Sequence, residues 1–304
     1  MIIDKLINKI IELKNPTVVG LDPRIDFVPP ELIKHAQDRY GRTAISVKHA
    51  LIAYNKGIID AICDIVPAVK PQMAFYEQFG HEGVDAYAQT VSYAKEKGLI
   101  VIGDIKRSDI ASTAEAYSDG HIGQVDVFGQ DTRFFDTDFI TINPFLGADS
   151  VEPFLGNCKK YDRGLFVLVK TSNKGSGTFQ NLVCGNNHLY EVVGDRVAEW
   201  GADFVGQHGY SSIGAVVGAT HPETAAQLRT RLPNTFFLVP GYGAQGGKAA
   251  DIAVSFDKNG LGAIVNNSRG IIAAYTNEKY TGMPYDEAAR AAALDMRNEL
   301  NSVL

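Results

Sequence analysis

The stretch VIGDIKRSDI, residues 101–110, runs from an apolar, strand-like segment straight into a carboxylate, an ammonium and a second carboxylate. Ionised groups are costly to remove from water unless paired. Three of them at the mouth of an apolar run therefore need either a solvated turn or a chemical task. Residues two apart in a strand point the same way, which predicts Asp104 and Lys106 on one face with Ile100 and Ile102, and Ile105 on the other. Asp109 falls past the strand end, in the following loop.

Comparable segments recur along the chain: TVVGLDP from 17, IVPAVKP from 65, DFITINP from 138, GLFVLVKTS from 164, IGAVVGAT from 213, TFFLVPG from 235 and LGAIVNNS from 261. With LIVIGDIK from 99 they number eight. Most are apolar nearly throughout rather than alternating, the pattern of parallel strands covered on both faces. Helix-like stretches separate them. GVDAYAQTVSYAKEKG (83–98) is closed by Gly98, and in HLYEVVGDRVAEWG (188–201) the residues Leu189, Val192, Val193, Val197 and Trp200 predict one apolar stripe. The alternation predicts an α/β fold, a single-domain (β/α)8 TIM barrel rather than an open sheet, since no Gly-x-Gly-x-x-Gly turn follows the first strand.

Polar residues stand where a barrel carries its chemistry, at the carboxyl ends of the strands: Asp22, Lys70, Asp104, Lys106, Asn143, Ser172, Gln245 and Arg269. Extra length falls near 24–45 and 173–187. The second insertion, within TSNKGSGTFQNLVCGNN, is rich in Gly, Ser and Asn and reads as a mobile loop over the site or a disordered connection. A last helix is expected near 285–303.

At 304 residues the chain could form one large barrel or two modest domains, but no repeat or linker divides it. Its formal charge of -6 argues against a nucleic-acid partner, which calls for a basic field, and leaves a local anion site open. Cys63, Cys158 and Cys184 are widely spaced and odd in number, as expected of reduced thiols in a cytoplasmic protein. The N-terminus MIIDKLINKIIELKN places Ile3, Leu6, Ile7, Ile10 and Ile11 at helical spacing between charges, an amphipathic helix and not a signal peptide. No run approaches the roughly 20 apolar residues of a membrane span, so no membrane partner is expected.

Alone, Asp-x-Lys-x-x-Asp would suit a surface charge cluster; its place at a strand end points instead to chemistry. The glycine-rich PGYGAQGGK (240–248) offers free N–H groups leading into a helix, a common phosphate holder, but it lacks the P-loop spacing. In NNSRG (266–270), Arg269 lies just beyond strand eight, and the loops after strands seven and eight are the usual phosphate site of these barrels. With Gln245 it could grip an anion bidentately. The seven histidines show no zinc-ligand spacing and most are expected on the surface or in loops, and no Gly-x-Ser-x-Gly elbow supports serine chemistry. Lysine and carboxylate are left to carry the reaction.

Taken together, GDIKRSDIAST, KPQMAFYE, NPFLG, KTSN, PGYGAQGG and NNSRGI resemble the orotidine 5'-phosphate decarboxylases, in their longer bacterial and protist subfamily (type 2), from residue 17 to about 275. That resemblance implies decarboxylation of orotidine 5'-monophosphate to UMP in pyrimidine biosynthesis, without metal or cofactor, by a homodimer with shared active sites. Carried over residue by residue, it implies that Asp22 and Lys70 contact the ribose, that Lys70 also helps hold Asp104, and that Lys106 protonates C6. Asp109 and Thr113 would reach the ribose from the partner subunit, Ser172 would read the pyrimidine edge, and Gln245 and Arg269 would bind phosphate. An ammonium between two carboxylates is held protonated, which suits Lys106 to the role of an acid. Two other readings stay open: a metal-dependent phosphosugar aldolase or epimerase on the same barrel, and a catalytically silent nucleotide-binding barrel.

Overall fold

In the computed structural model, which describes residues 1–243 and 246–304, eight parallel strands close into a barrel. They are β1 (Thr17–Leu21), β2 (Ala68–Pro71), β3 (Ile100–Arg107), β4 (Phe139–Ile142), β5 (Gly164–Lys170), β6 (Ser211–Val217), β7 (Thr235–Val239) and β8 (Ala263–Asn267). Each pairs with its neighbours in chain order, and β8 closes on β1 through Thr17 opposite Val265. Each of the eight apolar segments singled out in the sequence has become one of these strands. Two short antiparallel hairpins, Val125–Val127 with Gln130–Thr132 and Val183–Cys184 with Asn187–His188, lie outside the barrel.

Apolar residues on both strand faces give the molecule two cores. Val19, Val69, Val101, Ile140 and Val167 face outward into the layer of helices. Val18, Ala68, Ile102, Phe139 and Phe166 point inward and join Ile3, Leu6, Ile7 and Ile10 of the first helix, Ile2–Leu13. That helix plugs the amino-terminal end of the barrel. Its Ile2 N–H donates to Asp162 just before β5, and Asp4 accepts from His208 N–H just before β6. Burying each such isoleucine or leucine stabilises the fold by roughly 1.5–3 kcal/mol. Ile11, expected on the same stripe, is exposed.

Helix Leu189–Gly201 departs more clearly from its apolar stripe. The fully buried line runs through Tyr190, Gly194, Val197 and Gly201, while Leu189, Val192, Val193 and Trp200 are only half-buried. A Cβ on Gly194 would come within 3.0 Å of Leu232, so the helix packs by close backbone approach and not by its largest side chains. The 24–45 segment forms a turn, Ile25–Phe27, and a helix, Pro30–Tyr40, that packs on helix Ala44–Ile62. Residues 173–187 form the short helical pieces Lys174–Ser176 and Gly177–Gln180 followed by the second hairpin. The last helix spans Tyr285–Asn301. The three cysteines are free thiols, and among the described residues no helix is long and apolar enough to cross a membrane. His121 is an exception to the surface or loop placement expected of most histidines: it is buried against Phe135, and burial pushes its imidazole down to about 3.

Candidate active site

The carboxyl ends of the strands surround a cavity of about 740 Å³. Its polar wall carries Asp22, Lys70, Asp104, Lys106, Ser172 and Arg269, six of the strand-end residues expected there from sequence. Asp104 is its electrostatic centre. Lys70 Nζ donates to Asp104 Oδ2 at 2.6 Å and Gln72 Nε2 to the same oxygen at 2.9 Å. Oδ1 accepts from Thr141 Oγ1 at 2.9 Å and from Lys106 Nζ. Both carboxylate oxygens are therefore doubly held.

Burial alone would raise the Asp104 carboxyl, but the ammonium groups of Lys70 and Lys106 reverse this and hold it well below the usual carboxylate range. Lys70 is the mirror case. Burial would lower it, yet the charges of Asp104 and Asp22 leave it above its ordinary value. Asp22 behaves differently, since burial outweighs the opposing charge of Lys70 and pushes its carboxyl up. Among the described residues its Oδ1 is buried without a hydrogen-bond partner, as is Asn266 Oδ1 on the same wall. Such orphaned acceptors are suited to a ligand's hydroxyl or N–H donors. The close packing of β1 on the loop after β8 depends on Gly20, because a Cβ there would lie 1.8 Å from Ser268 Oγ.

The strand alternation expected at 101–110 holds through Ile105, which is buried among outward residues, and then breaks. The β3–β4 register shifts between Gly103 and Arg107, and Lys106 has a left-handed φ of 46°. Lys106 nevertheless returns its ammonium to Asp104. Among the described residues of its own chain Lys106 pairs with one carboxylate, that of Asp104: Asp109 lies past the end of β3, accepts from Ile110 N–H, and like Thr113 stands off the cavity wall. Asn143 is off the wall too, its side chain capping Phe145 N–H. Gln245 lies outside the described residues. In the glycine-rich loop, the N–H groups of Gly243, Gly246 and Gly247 bond within the loop itself, so these three are not the free donors expected.

Gln72 and Thr141 were missed in the sequence reading. Their signal was weak but present: Gln72 directly follows β2 and Thr141 interrupts the apolar FITI of β4, places where a polar group turned from water needs a partner. The segment after β5 is fastened to the rim. Gln180 Oε1 accepts from Thr171 N–H at 3.0 Å, and Gly175, Ser176, Phe179 and Gln180 all face the cavity.

Comparison with known proteins agrees with this geometry. A family model described as Orotidine 5'-phosphate decarboxylase / HUMPS family matches residues 45–281. The orotidine 5'-phosphate decarboxylase of Caldicellulosiruptor saccharolyticus is 44% identical over 301 residues, 99% of this chain and 98% of its own. That of Clostridium acetobutylicum is 42% identical over 305 residues, covering 100% of both. Among solved structures, the OMP decarboxylase of Leishmania donovani has a TM-score of 0.75 at 31% identity, covering 99% of this chain and 98% of that one. Identity of this extent, maintained over the full length and on the same barrel, makes the chain a member of the orotidine 5'-phosphate decarboxylase family, whose members are carboxy-lyases.

Proposed function

We propose that this chain converts orotidine 5'-monophosphate to UMP by direct loss of CO2, with Lys106 as the acid for C6 and with no metal or cofactor. The observation that carries this reading is the Lys106 ammonium paired with Asp104, an ionised carboxylate itself fixed by Lys70, Gln72 and Thr141. Breaking the bond from C6 to the carboxylate leaves an electron pair on C6. A fixed positive charge beside that carbon stabilises it without reorganisation, and the same ammonium then delivers its proton to C6. The amine recovers its proton from solvent. Asp104 acts on the other side of the balance. A substrate carboxylate 4 Å away would be repelled by about 4 kcal/mol at an effective dielectric of ~20, and departure of neutral CO2 relieves this.

The remaining roles follow the same reading. Asp22 and Lys70 hold the ribose, Ser172 reads the pyrimidine edge, and Arg269 with Gln245 binds the phosphate. Asp109 and Thr113 serve the partner's site in a homodimer, which accords with their standing off the cavity wall of their own subunit. No nucleic acid or membrane takes part, and the enzyme works in the cytoplasm. The test is an absorbance assay for orotidylate loss with and without EDTA. Turnover unaffected by the chelator is expected. Loss of activity to EDTA would favour a metal-dependent phosphosugar reaction, and UMP binding without turnover a silent barrel.

A further inference from the structure

We infer that Thr141 is the positioning residue that sets Asp104 and Lys106 relative to one another, an inference that rests on the proposed decarboxylation for its functional consequence. Thr141 lies on β4 and is 1% exposed. Its Oγ1 donates to Asp104 Oδ1 at 2.9 Å and accepts from the backbone N–H groups of Ile105 and Lys106, each at 3.0 Å. A hydroxyl has one proton and two lone pairs, so its capacity is fully used. The directions are unambiguous, because a backbone N–H can only donate and an ionised carboxylate can only accept.

Successive N–H groups of a regular strand point to opposite sides. Here two of them converge on one oxygen, where the register shifts and Lys106 takes its left-handed φ of 46°. The turn aims the Lys106 side chain back at Asp104 Oδ1, the same oxygen that Thr141 holds. Thr141 Oγ1, Asp104 Oδ1, Lys106 Nζ and Lys106 N thus close one ring of hydrogen bonds and covalent chain. A threonine present only to satisfy the bulged backbone would need the two accepted bonds. The third bond, to the carboxylate, couples the backbone distortion to the charged pair. Gln72 makes no such link, as its amide donates to Oδ2 and not to the oxygen that Thr141 and Lys106 share.

The test compares Thr141→Val, which keeps the shape and loses all three bonds, with Thr141→Ser, which keeps the hydroxyl. Turnover of orotidine 5'-monophosphate, affinity for UMP, and crystal structures of both variants are measured. Thr141→Val should lower kcat about 10²-fold, the order expected when reacting groups shift by about 1 Å. UMP affinity should change less than about threefold, because UMP lacks the carboxylate whose loss the pair promotes. Its crystal structure should show the Lys106 ammonium displaced from Asp104, and Thr141→Ser should restore both position and rate to within about tenfold of wild type. Should Thr141→Val not fold, Thr141→Cys, with a weak donor and acceptor, replaces it with the same expected direction. An unaltered kcat, an unmoved Lys106, or a parallel loss of kcat and UMP affinity would each overturn the inference. Failure of the wild type to turn over orotidylate would defeat the proposed reaction instead, while the crystal structures would still decide what Thr141 holds.

Discussion

Lys70 and Asp104 form an ion pair, Nζ to Oδ2 at 2.6 Å, with only 4% and 7% of the two side chains exposed. Removing one partner of a buried pair leaves the other charge uncompensated, so Lys70→Met should destabilise the fold by about 3 kcal/mol in urea denaturation at pH 7. Asp104 is held below the usual carboxylate range, so its stabilisation is present above that range and is lost only as pH falls through the lower folded value. Lys70 is held above its ordinary value, so its contribution is complete below about pH 10.4 and fades as pH rises through the higher folded value. The loss in Lys70→Met should therefore be flat from roughly pH 5 to 9. A loss confined to one end of that window would argue that the pair is not ionised throughout.

Asp22 should behave in the opposite sense. Its carboxyl is pushed up on folding, so folding is favoured by its protonated form below the ordinary carboxylate range, and that advantage is lost as pH rises through the folded value. Asp22→Asn should raise Tm at pH 7, by on the order of 1 kcal/mol in stability, with the gap closing below about pH 4. Activity should fall in the same variant. Differential scanning calorimetry across pH, set beside the turnover assay, checks both halves.

Lys106→Ala should abolish decarboxylation while leaving UMP affinity within about an order of magnitude, because the ammonium acts mainly on charge present only in the transition state. Retained turnover would remove Lys106 from its role.

Binding energy from the phosphate should serve the chemistry as well as affinity, since a remote group can close the rim segment and order the charged array. Arg269→Ala should raise KM at least about tenfold, and orotidine lacking phosphate should be a very poor substrate. Equal kcat/KM for nucleoside and nucleotide would sink the phosphate roles of Arg269 and Gln245.

Shared sites can be tested by complementation. Lys106→Ala and Asp109→Ala subunits, each nearly inactive alone, are mixed at random in equal amounts. In a mixed dimer one site carries both defects and the other carries neither, so about a quarter of wild-type activity should return. If Asp109 serves its own subunit, every site keeps one defect and mixing restores nothing.

The sequence by itself determined the barrel and the carriers of charge around its mouth. Segments that are apolar on both faces can be satisfied only as strands sandwiched between an inner and an outer core, and Val18 beside Val19 already states that requirement. Asp22, Lys70, Asp104, Lys106, Ser172 and Arg269 were legible because a polar residue closing such a strand has few places to go other than the rim. Three-dimensional packing decided the rest. The line along which helix 189–201 packs is set by how closely Gly194 lets it approach Leu232, a property of two surfaces and not of one helix. Gln72 and Thr141 escaped notice because their partner is a carboxylate 32 and 37 residues away in sequence. The direction of Lys106 is likewise a tertiary fact: alternation along β3 ends where a threonine on the neighbouring strand draws two successive N–H groups to one oxygen and turns the lysine back onto Asp104.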